Sequence, residues 1–569
     1  MKNWTNLHNH TVFSMLDGHG SVEQYLERAK SLGMTGLATT DHGNIHSWLD
    51  FYDAGKSAGV KPILGSEFYQ ARKSRLDRDE EERSGPSKNE WEQRGPYHIT
   101  ILAKNNIGYH NIIKMSSRAF TEGYYVKPRI DHDLISQHSD GIIVLSGCLN
   151  GEVSQALLRK DYNTALKHAT AMQEIVGNEN YFIEIQNHGI EEQLSIIPDL
   201  IKIANYIGAK VVPSGDCHYV HQHDANAHDI MLCVATNSNI HTPNRFSFSG
   251  DQFYLQSYDE MASIFSDELL KNTMHVNDMI DVDLNFGDIH FPNFPIPTQE
   301  TSVDYFERLA WDGLKRRYGN ELPEHIVERA NHEIKVVKEM GFPEYFLVVS
   351  DLVRWAKEND IRVGWGRGSA AGSVLSYAFD ITNLDPIKFG LMFERFLVEG
   401  RKSMPDIDLD FDDRHRDKVI EYARTKYGSD HVAHICTFNR TGARQSIRDA
   451  ARALGYDFST GDKVSKLVPP PVLGVSKSLK DCMQVVEFSQ LYNSDADAKI
   501  VIDTAFGLEN LVRQTGIHAA GIVISKNELT EYLPIMKKGA DSPIITQWDM
   551  GRVEQCGLLK IDFLGLRNL

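Results

Sequence analysis

From the first residues to about residue 280, short apolar runs of strand length alternate with stretches of helical periodicity. TGLATTDH, KPILGSEF, HITILAKN, GIIVLSGC, YFIEIQNH and AKVVPSGDCHY are the strand-like pieces. In most of them the apolar run leads directly into a polar, ligand-capable residue. An α/β sheet or barrel presents its site in that way, at the C-terminal ends of its strands. A charged stretch at 71–95 reads as a surface loop, and FPNFPIPTQ at 291–299 as part of a linker at 281–300. From 301 to 430 the pattern is helical, then strand-loop-helix around RVGWGRGSAAGS, then strand at SMPDIDLDF. Residues 431–510 read as mostly helical, and 511–569 return to strands at GIHAAGIVIS, PIITQWD and LLKIDFL.

Composition narrows the class without choosing the chemistry. The 569 residues are 41% hydrophobic and 24% charged, which fits a multi-domain globular chain rather than fibre or disorder. The apolar runs are strand-sized, and the first ten residues contain no apolar leader, so neither a membrane span nor a signal peptide is expected. Six cysteines without paired spacing point to a reducing compartment and a cytoplasmic location. A net charge of −18 argues against nucleic-acid binding when taken alone. Acidic residues gathered to hold cations weaken that argument, because the cations then meet phosphates.

LHNHTVFSMLDG places His8 and His10 on one side of a strand, with Asp17 close behind. The following strand ends add His42, Glu67, His98, Cys148, Asp216 and His218. Each is unremarkable alone: the chain has 24 histidines, a lone cysteine is usually a small buried hydrophobe, and Asp41 reads as a turn residue beside His42. His188 is left as a surface or packing histidine. Nine donors of N, O and S type exceed one tetrahedral zinc and suit two or three ions bridged by carboxylates. Such ions activate water and hold phosphate oxygens, so phosphoester hydrolysis is the natural chemistry. These segments resemble the PHP (polymerase and histidinol phosphatase) domain, with all nine positions of its trinuclear site filled. The resemblance implies zinc or manganese there and a working 3′–5′ exonuclease.

MPDIDLDFDD sets Asp406, Asp408 and Asp410 on one face of a strand, where like charges repel unless divalent cations intervene. An acidic turn at a strand edge is the plainer reading. RVGWGRGSAAGS brings backbone N–H groups and Ser369 to the start of a helix, suited to a triphosphate, although it is neither a Walker A loop nor G-x-G-x-x-G. Together with GFPEYFLVVSDLVRWAKEN, LMFERFLVEGRKSMPDIDLDF, TGIHAAGIVIS and LLKIDFLGL, these residues resemble the family C replicative polymerases of bacteria. The resemblance implies an α/β N-terminal PHP domain (1–280), built as a distorted parallel β/α barrel. An α+β palm (301–430 and 511–569) with an inserted helical thumb (431–510) would follow it. It further implies that Asp406, Asp408 and Asp562 are catalytic and hold two Mg2+, with Asp410 a structural acid beside them. Gly368, Ser369, Arg395, Arg401 and Lys560 would contact the incoming nucleotide, although Arg395 and Arg401 can equally pair with Glu394 or Glu399.

Arg440, Arg444, Arg448 and Arg452 recur every four residues and would line one helical face, either along a DNA backbone or as a solvated basic face. The implied partners are primer-template DNA, dNTPs, other replisome proteins and a fingers-containing polypeptide, because family members continue past the palm. On that reading Leu569 falls at the palm–fingers junction. A nuclease active only at the PHP site and a non-catalytic DNA-binding scaffold are the competing functions.

Overall fold

The structure is a computed structural model that describes residues 3–79, 95–297, 299–398, 405–472, 474–539 and 541–569. Arg401 and most of the charged stretch at 71–95 lie outside the described residues. The chain divides into two units, Met1–Leu284 with Phe438–Gly516, and Asn285–Thr437 with Ile517–Leu569.

The first unit is built on a curled sheet of seven strands: β1 (Gly36–Thr39), β2 (Lys61–Gln70), β3 (Tyr97–Ala103), β4 (Arg129–Ile130), β5 (Ile142–Leu145), β6 (Tyr181–Ile185) and β7 (Lys210–Pro213). Their order is β1-β2-β3-β5-β6-β7, with β4 pairing to the end of β2. The N-terminal segment hydrogen-bonds at both margins of this sheet. Ala38 N donates to Asn6 O at 3.0 Å, and His10 N donates to Cys217 O at 2.7 Å, just beyond β7. Leu7, Ile63, Leu102, Ile143, Phe182 and Val212 form the apolar interior of the curl. Both faces of β1 and β5 are buried, which explains why these strands read as unbroken apolar runs.

The expectation of a parallel barrel needs correction, because β3 runs antiparallel to both β2 and β5. A run such as HITILA alternates identically in either direction, so the pattern carries no sign of orientation. The helices Ala443–Ala453, Phe458–Ser465, Val486–Ser494 and Ala496–Phe506 belong to this unit. Ile240 N, donating to Ala453 O at 2.9 Å, ties the first of them to the N-terminal residues.

The second unit holds a six-stranded sheet: β8 (Asp408–Asp412), β9 (Val432–Arg440), β10 (Val512–Ile524), β11 (Ile535–Met536), β12 (Ile545–Asp549) and β13 (Leu559–Leu566). The order is β11-β12-β9-β10-β13-β8, and the chain passes between units along β9 and β10. The strand β9 lies in the stretch 431–510 that was expected to be mostly helical. Helices Ser302–Tyr318, Pro343–Glu358 and Arg416–Tyr427 bury Phe306, Phe346, Leu352 and Ile420 against Ile522, Ile561 and Phe563 of the sheet. Pro at the start of Pro343–Glu358 is favoured because its missing N–H would have no partner there.

Candidate metal centres

All nine donors expected in the first unit converge at one edge of its sheet. His42 follows β1, Cys148 follows β5, and Asp216 and His218 follow β7, while Glu67 projects from within β2. His98 stands at the beginning of β3, where Tyr69 is its partner across the sheet. Only the reversed direction of β3 brings that N-terminal residue to the edge reached by the C-terminal ends of its neighbours. His8 and His10 come from the segment that bonds to both sheet margins.

The carboxylates of Glu67 and Asp216 sit among the imidazoles. Glu67 Oε2 lies 2.7 Å from His42 Nδ1, 3.3 Å from His10 Nε2 and 3.5 Å from His8 Nε2. Glu67 Oε1 is 2.9 Å from His98 Nδ1 and 3.2 Å from Cys148 Sγ. Asp216 Oδ1 lies 3.2 Å from His10 Nε2 and 3.4 Å from His8 Nε2, and Asp17 Oδ2 lies 3.0 Å from His42 Nε2. Three groups have donor atoms mutually within 4.8 Å: His10, His42 and His218; His8, His10 and Asp216; and His42, Glu67 and His98. His8 Nε2, His10 Nε2, His42 Nδ1, Glu67 Oε2, Asp17 Oδ1 and Asp216 Oδ1 are all buried without an aligned hydrogen bond, although Glu67 Oε2 and His42 Nδ1 stand only 2.7 Å apart. Buried polar atoms ordinarily find partners, so this convergence fits a cluster shaped around cations.

A second ring of contacts aims the imidazoles. His8 Nδ1 meets Glu184 Oε1 at 2.7 Å, His10 Nδ1 meets Ser14 Oγ at 3.0 Å, and His218 Nδ1 meets Asp216 O at 2.8 Å. Ser14 Oγ in turn donates to Asp41 Oδ1 at 2.8 Å, and Asp41 also accepts from Thr11 and Ser47. Burial opposes charge on His8, yet Asp216, Glu184 and Glu67 outweigh it and raise its pKa well above the ordinary value. Burial likewise works against the Glu67 carboxylate, but His98, His8 and His42 hold its pKa well below the usual range. Burial, followed by the charges of Glu67 and Asp216, pushes the Cys148 thiol well up.

In the second unit, the parallel pairing of β13 with β8 sets Asp562 directly beside Asp408. Asp406, Asp408 and Asp562 have carboxylate oxygens mutually within 4.8 Å, and Asp562 Oδ1 is buried without a hydrogen-bond partner. That donor set fits hard divalent cations. Lys560 Nζ lies 2.7 Å from Asp562 Oδ2 and 3.9 Å from Asp406 Oδ1. Burial, then the charge on Arg367, and repulsion from Asp406, Asp562 and Asp410 act on Asp408, with a net rise in its pKa. Gly368 adopts φ +68°, which favours glycine, and a Cβ there would lie in ordinary contact, 3.6 Å, with Asp408 Oδ2. Ser369 opens the turn Ser369–Gly372, and Ser373 then caps Val374–Ala378 by accepting from Ser376 N. Arg395 is exposed, in the turn Phe393–Arg395.

Several residues escaped the sequence reading. Glu184 is buried within β6, two residues from Phe182, and because every residue of YFIEI is buried the alternation there carried no signal of its place. Asp41 is no simple turn residue: it is buried and holds Thr11, Ser14 and Ser47 together. Arg367, whose guanidinium lies 3.1 Å from Asp408 Oδ2 and 3.2 Å from Asp410 Oδ1, was passed over inside the glycine-rich turn. His188 packs, stacked on Phe253 at 4.0 Å. The single helical face expected for four arginines also needs correction. Arg440 ends β9, because Gly442 begins the helix Ala443–Ala453 only after it. The other three guanidinium groups make internal contacts: Arg444 with Val468 O, Arg448 with Ser465, and Arg452 with Asn237.

Convergent N, O and S donors in one unit, and a carboxylate trio beside a glycine-rich turn in the other, are donor sets of the kind that metal-dependent phosphoryl chemistry uses. The PHP domain family matches residues 6–188, and the family described as bacterial DNA polymerase III alpha NTPase domain matches residues 304–565. Proteins named DNA polymerase III subunit alpha match this chain over its whole length. Those of Thermus aquaticus, Mycobacterium tuberculosis and Treponema pallidum are 38%, 39% and 40% identical, with 51%, 49% and 47% of their own lengths covered. The chain belongs to the DNA polymerase III alpha family, and it spans about half the length of the curated relatives it matches. Among the described residues, no helix is long and apolar enough to cross a membrane.

Proposed function

We propose that the chain is the N-terminal part of a replicative DNA-directed DNA polymerase and carries a metal-dependent 3′–5′ exonuclease in its first unit. The observation that carries the polymerase reading is the register of β8 against β13, which sets Asp408 beside Asp562 with Asp406 in reach. These acids would hold two Mg2+, which would supply the charge stabilisation that phosphoryl transfer needs. Lys560 holds the Asp562 carboxylate and offers positive charge to the triphosphate. Gly368 and Ser369 bring main chain and hydroxyl to it, and Arg395, with Arg401, supplies further cations. The relatives contain about as much chain again, and the nucleotide pocket is completed by polypeptide of that kind, in one protein with this chain or in a partner.

In the first unit His8, His10, Asp17, His42, Glu67, His98, Cys148, Asp216 and His218 would hold two or three Zn2+ or Mn2+. Ions held there would supply activated water and charge stabilisation for phosphoester hydrolysis. Glu184, Ser14 and the Asp216 carbonyl keep His8, His10 and His218 turned inward, and burial keeps bulk water from competing for the carboxylates. The substrate is the 3′ end of a DNA strand, the partners are primer-template DNA and dNTPs, and the setting is the cytoplasmic replisome. DNA backbone contact by Arg440, Arg444, Arg448 and Arg452 would require these side chains to exchange their internal acceptors for phosphates.

A nuclease acting at the first unit alone is the second reading. It is favoured by the concentration of orphaned donor atoms there, six against the one of the acidic trio. A 5′-labelled primer on a longer template, incubated with dNTPs and Mg2+ or Mn2+, separates the two. Extension lost in Asp406→Ala supports the polymerase; shortening lost in His8→Ala, with no extension, supports the nuclease alone. A primer left unchanged by the wild-type chain refutes both for the isolated chain.

A further inference from the structure

Beside the donor cluster of the first unit stands a cation that none of the roles above uses. Lys127 Nζ lies over the Tyr69 ring, 5.0 Å from its centroid. The Tyr69 ring itself stacks on His42 at 6.2 Å and meets His98 edge-on at 5.3 Å. Tyr69 therefore touches both Lys127 and two of the candidate metal-ligand imidazoles.

The backbone that presents Lys127 is strained and firmly anchored. Val126, a β-branched residue that is 48% exposed, adopts φ +64°, a conformation its side chain disfavours. Tyr125 N donates to Lys127 O at 3.0 Å and fixes the turn around it. On the far side Arg129 is fully buried, with its guanidinium donating to Gly123 O, Arg75 O and Asp77 O, and its main chain pairs with Tyr69. At Gly43, beside His42, a Cβ would come within 2.6 Å of the Tyr69 ring and 3.2 Å of Pro128, so the loop and the ligand turn are pressed together. Strain kept in place by surrounding structure marks functional positions. Leu16 and Asp216, both at this cluster, also have positive φ.

Charge supplies the reason. Three divalent ions, one for each donor group, would bring six positive charges against the carboxylates of Asp17, Glu67 and Asp216 and the Cys148 thiolate. A lysine held next to a net-positive cluster is repelled by it, and an anion placed between them removes the repulsion. We propose that Lys127, braced by Tyr69, is a substrate-binding residue that grips the phosphate of the strand's terminal nucleotide at the mouth of the first-unit cluster. This rests on the hydrolase reading of that unit and deepens it.

The test uses the full chain loaded with Mn2+, with the deoxynucleotide dTMP as probe, and isothermal titration of both ligands. Lys127→Gln is expected to weaken dTMP binding by about tenfold or more while Mn2+ binds equally or more tightly, since a repulsive charge has been removed. Lys127→Arg is expected to keep most of the dTMP affinity and the melting temperature of the wild type, as a control for folding. A merely structural role would not move the two affinities in opposite directions. If dTMP affinity in Lys127→Gln stays within about twofold of the wild type, or falls in step with Mn2+ affinity and melting temperature, Lys127 is not the grip. In that outcome a wild-type chain that still shortens the primer leaves the hydrolase reading standing. A wild-type chain that binds neither Mn2+ nor dTMP overturns both.

Discussion

Glu184→Gln is a one-atom change at a residue outside the expected ligand set, and the structure gives its size. Both partners of the Glu184–His8 contact are fully buried, and Glu184 Oε1 accepts from His8 Nδ1 at 2.7 Å and from Gln186 Nε2 at 3.0 Å, as well as from Ser214 Oγ. A hydrogen bond to a charged group contributes about 1.5–3 kcal/mol and a neutral one about 0.5–1.5 kcal/mol. Replacing one by the other therefore costs about 1–2 kcal/mol, or roughly 5–30-fold in metal affinity at 1.4 kcal/mol per tenfold. That overlaps the lower part of the range of about 10–100-fold typical for partners of metal-ligating histidines. Titration of Mn2+ into the metal-free protein measures it directly, and saturating Mn2+ should restore primer shortening. The metal-free protein supplies an independent check of sign. His8 has its pKa raised by Asp216, Glu184 and Glu67 against burial, so its contribution to stability is present below about pH 6.5 and is lost as pH rises through the folded value. Without metal, Glu184→Gln should therefore lower the melting temperature most in acid and least in alkali. Unchanged Mn2+ affinity in a folded Glu184→Gln protein would refute the argument that this carboxylate aims His8.

Asp562→Asn should abolish template-dependent extension while leaving primer shortening intact. It should also raise the melting temperature without divalent ions, because it relieves repulsion on Asp408; a primer and thermal-shift pair of assays reads both. Arg367 pairs with Asp408 and Asp410 in the absence of ions, so Arg367→Met should tighten Mg2+ binding to the second unit; looser or unchanged binding in a calorimeter would contradict this. Glu152 is buried against His132 and His168, and these partners outweigh burial to bring its pKa down to about 2. The shift from about 4.5 is roughly 3 kcal/mol of stability, present above about pH 4.5 and lost as pH falls toward 2. Urea denaturation of Glu152→Gln near pH 7 should show a loss of that order, and the difference from wild type should vanish near pH 2.

Most of the ligand-type residues were legible because they end or begin an apolar run, and an apolar run that stops at His, Asp or Cys is visible in one dimension. Asp562 was legible for a related reason: an acid between Ile561 and Phe563 has no place in an apolar strand without a cation. Glu184 was not legible, because an acid inside YFIEI reads equally well as the outward face of a half-buried strand. Arg440 was misplaced because a four-residue spacing persists across a strand end, whereas Gly442 decides where the helix starts. Lys127 carries no mark in the sequence beyond being a lysine before a proline.

The chain by itself determined which residue types are present, at what spacing, and with which strands and helices they travel. Local periodicity follows from backbone geometry, so the α/β character of the first unit and the acidic strand of the second could be read without coordinates. Tertiary structure decided direction and register. It reversed β3 so that His98 reaches the shared edge, aligned Asp562 with Asp408, and grouped Phe438–Gly516 with the first unit. Strand direction and pairing depend on connections and on which faces bury together, and those are energies between segments far apart in the chain.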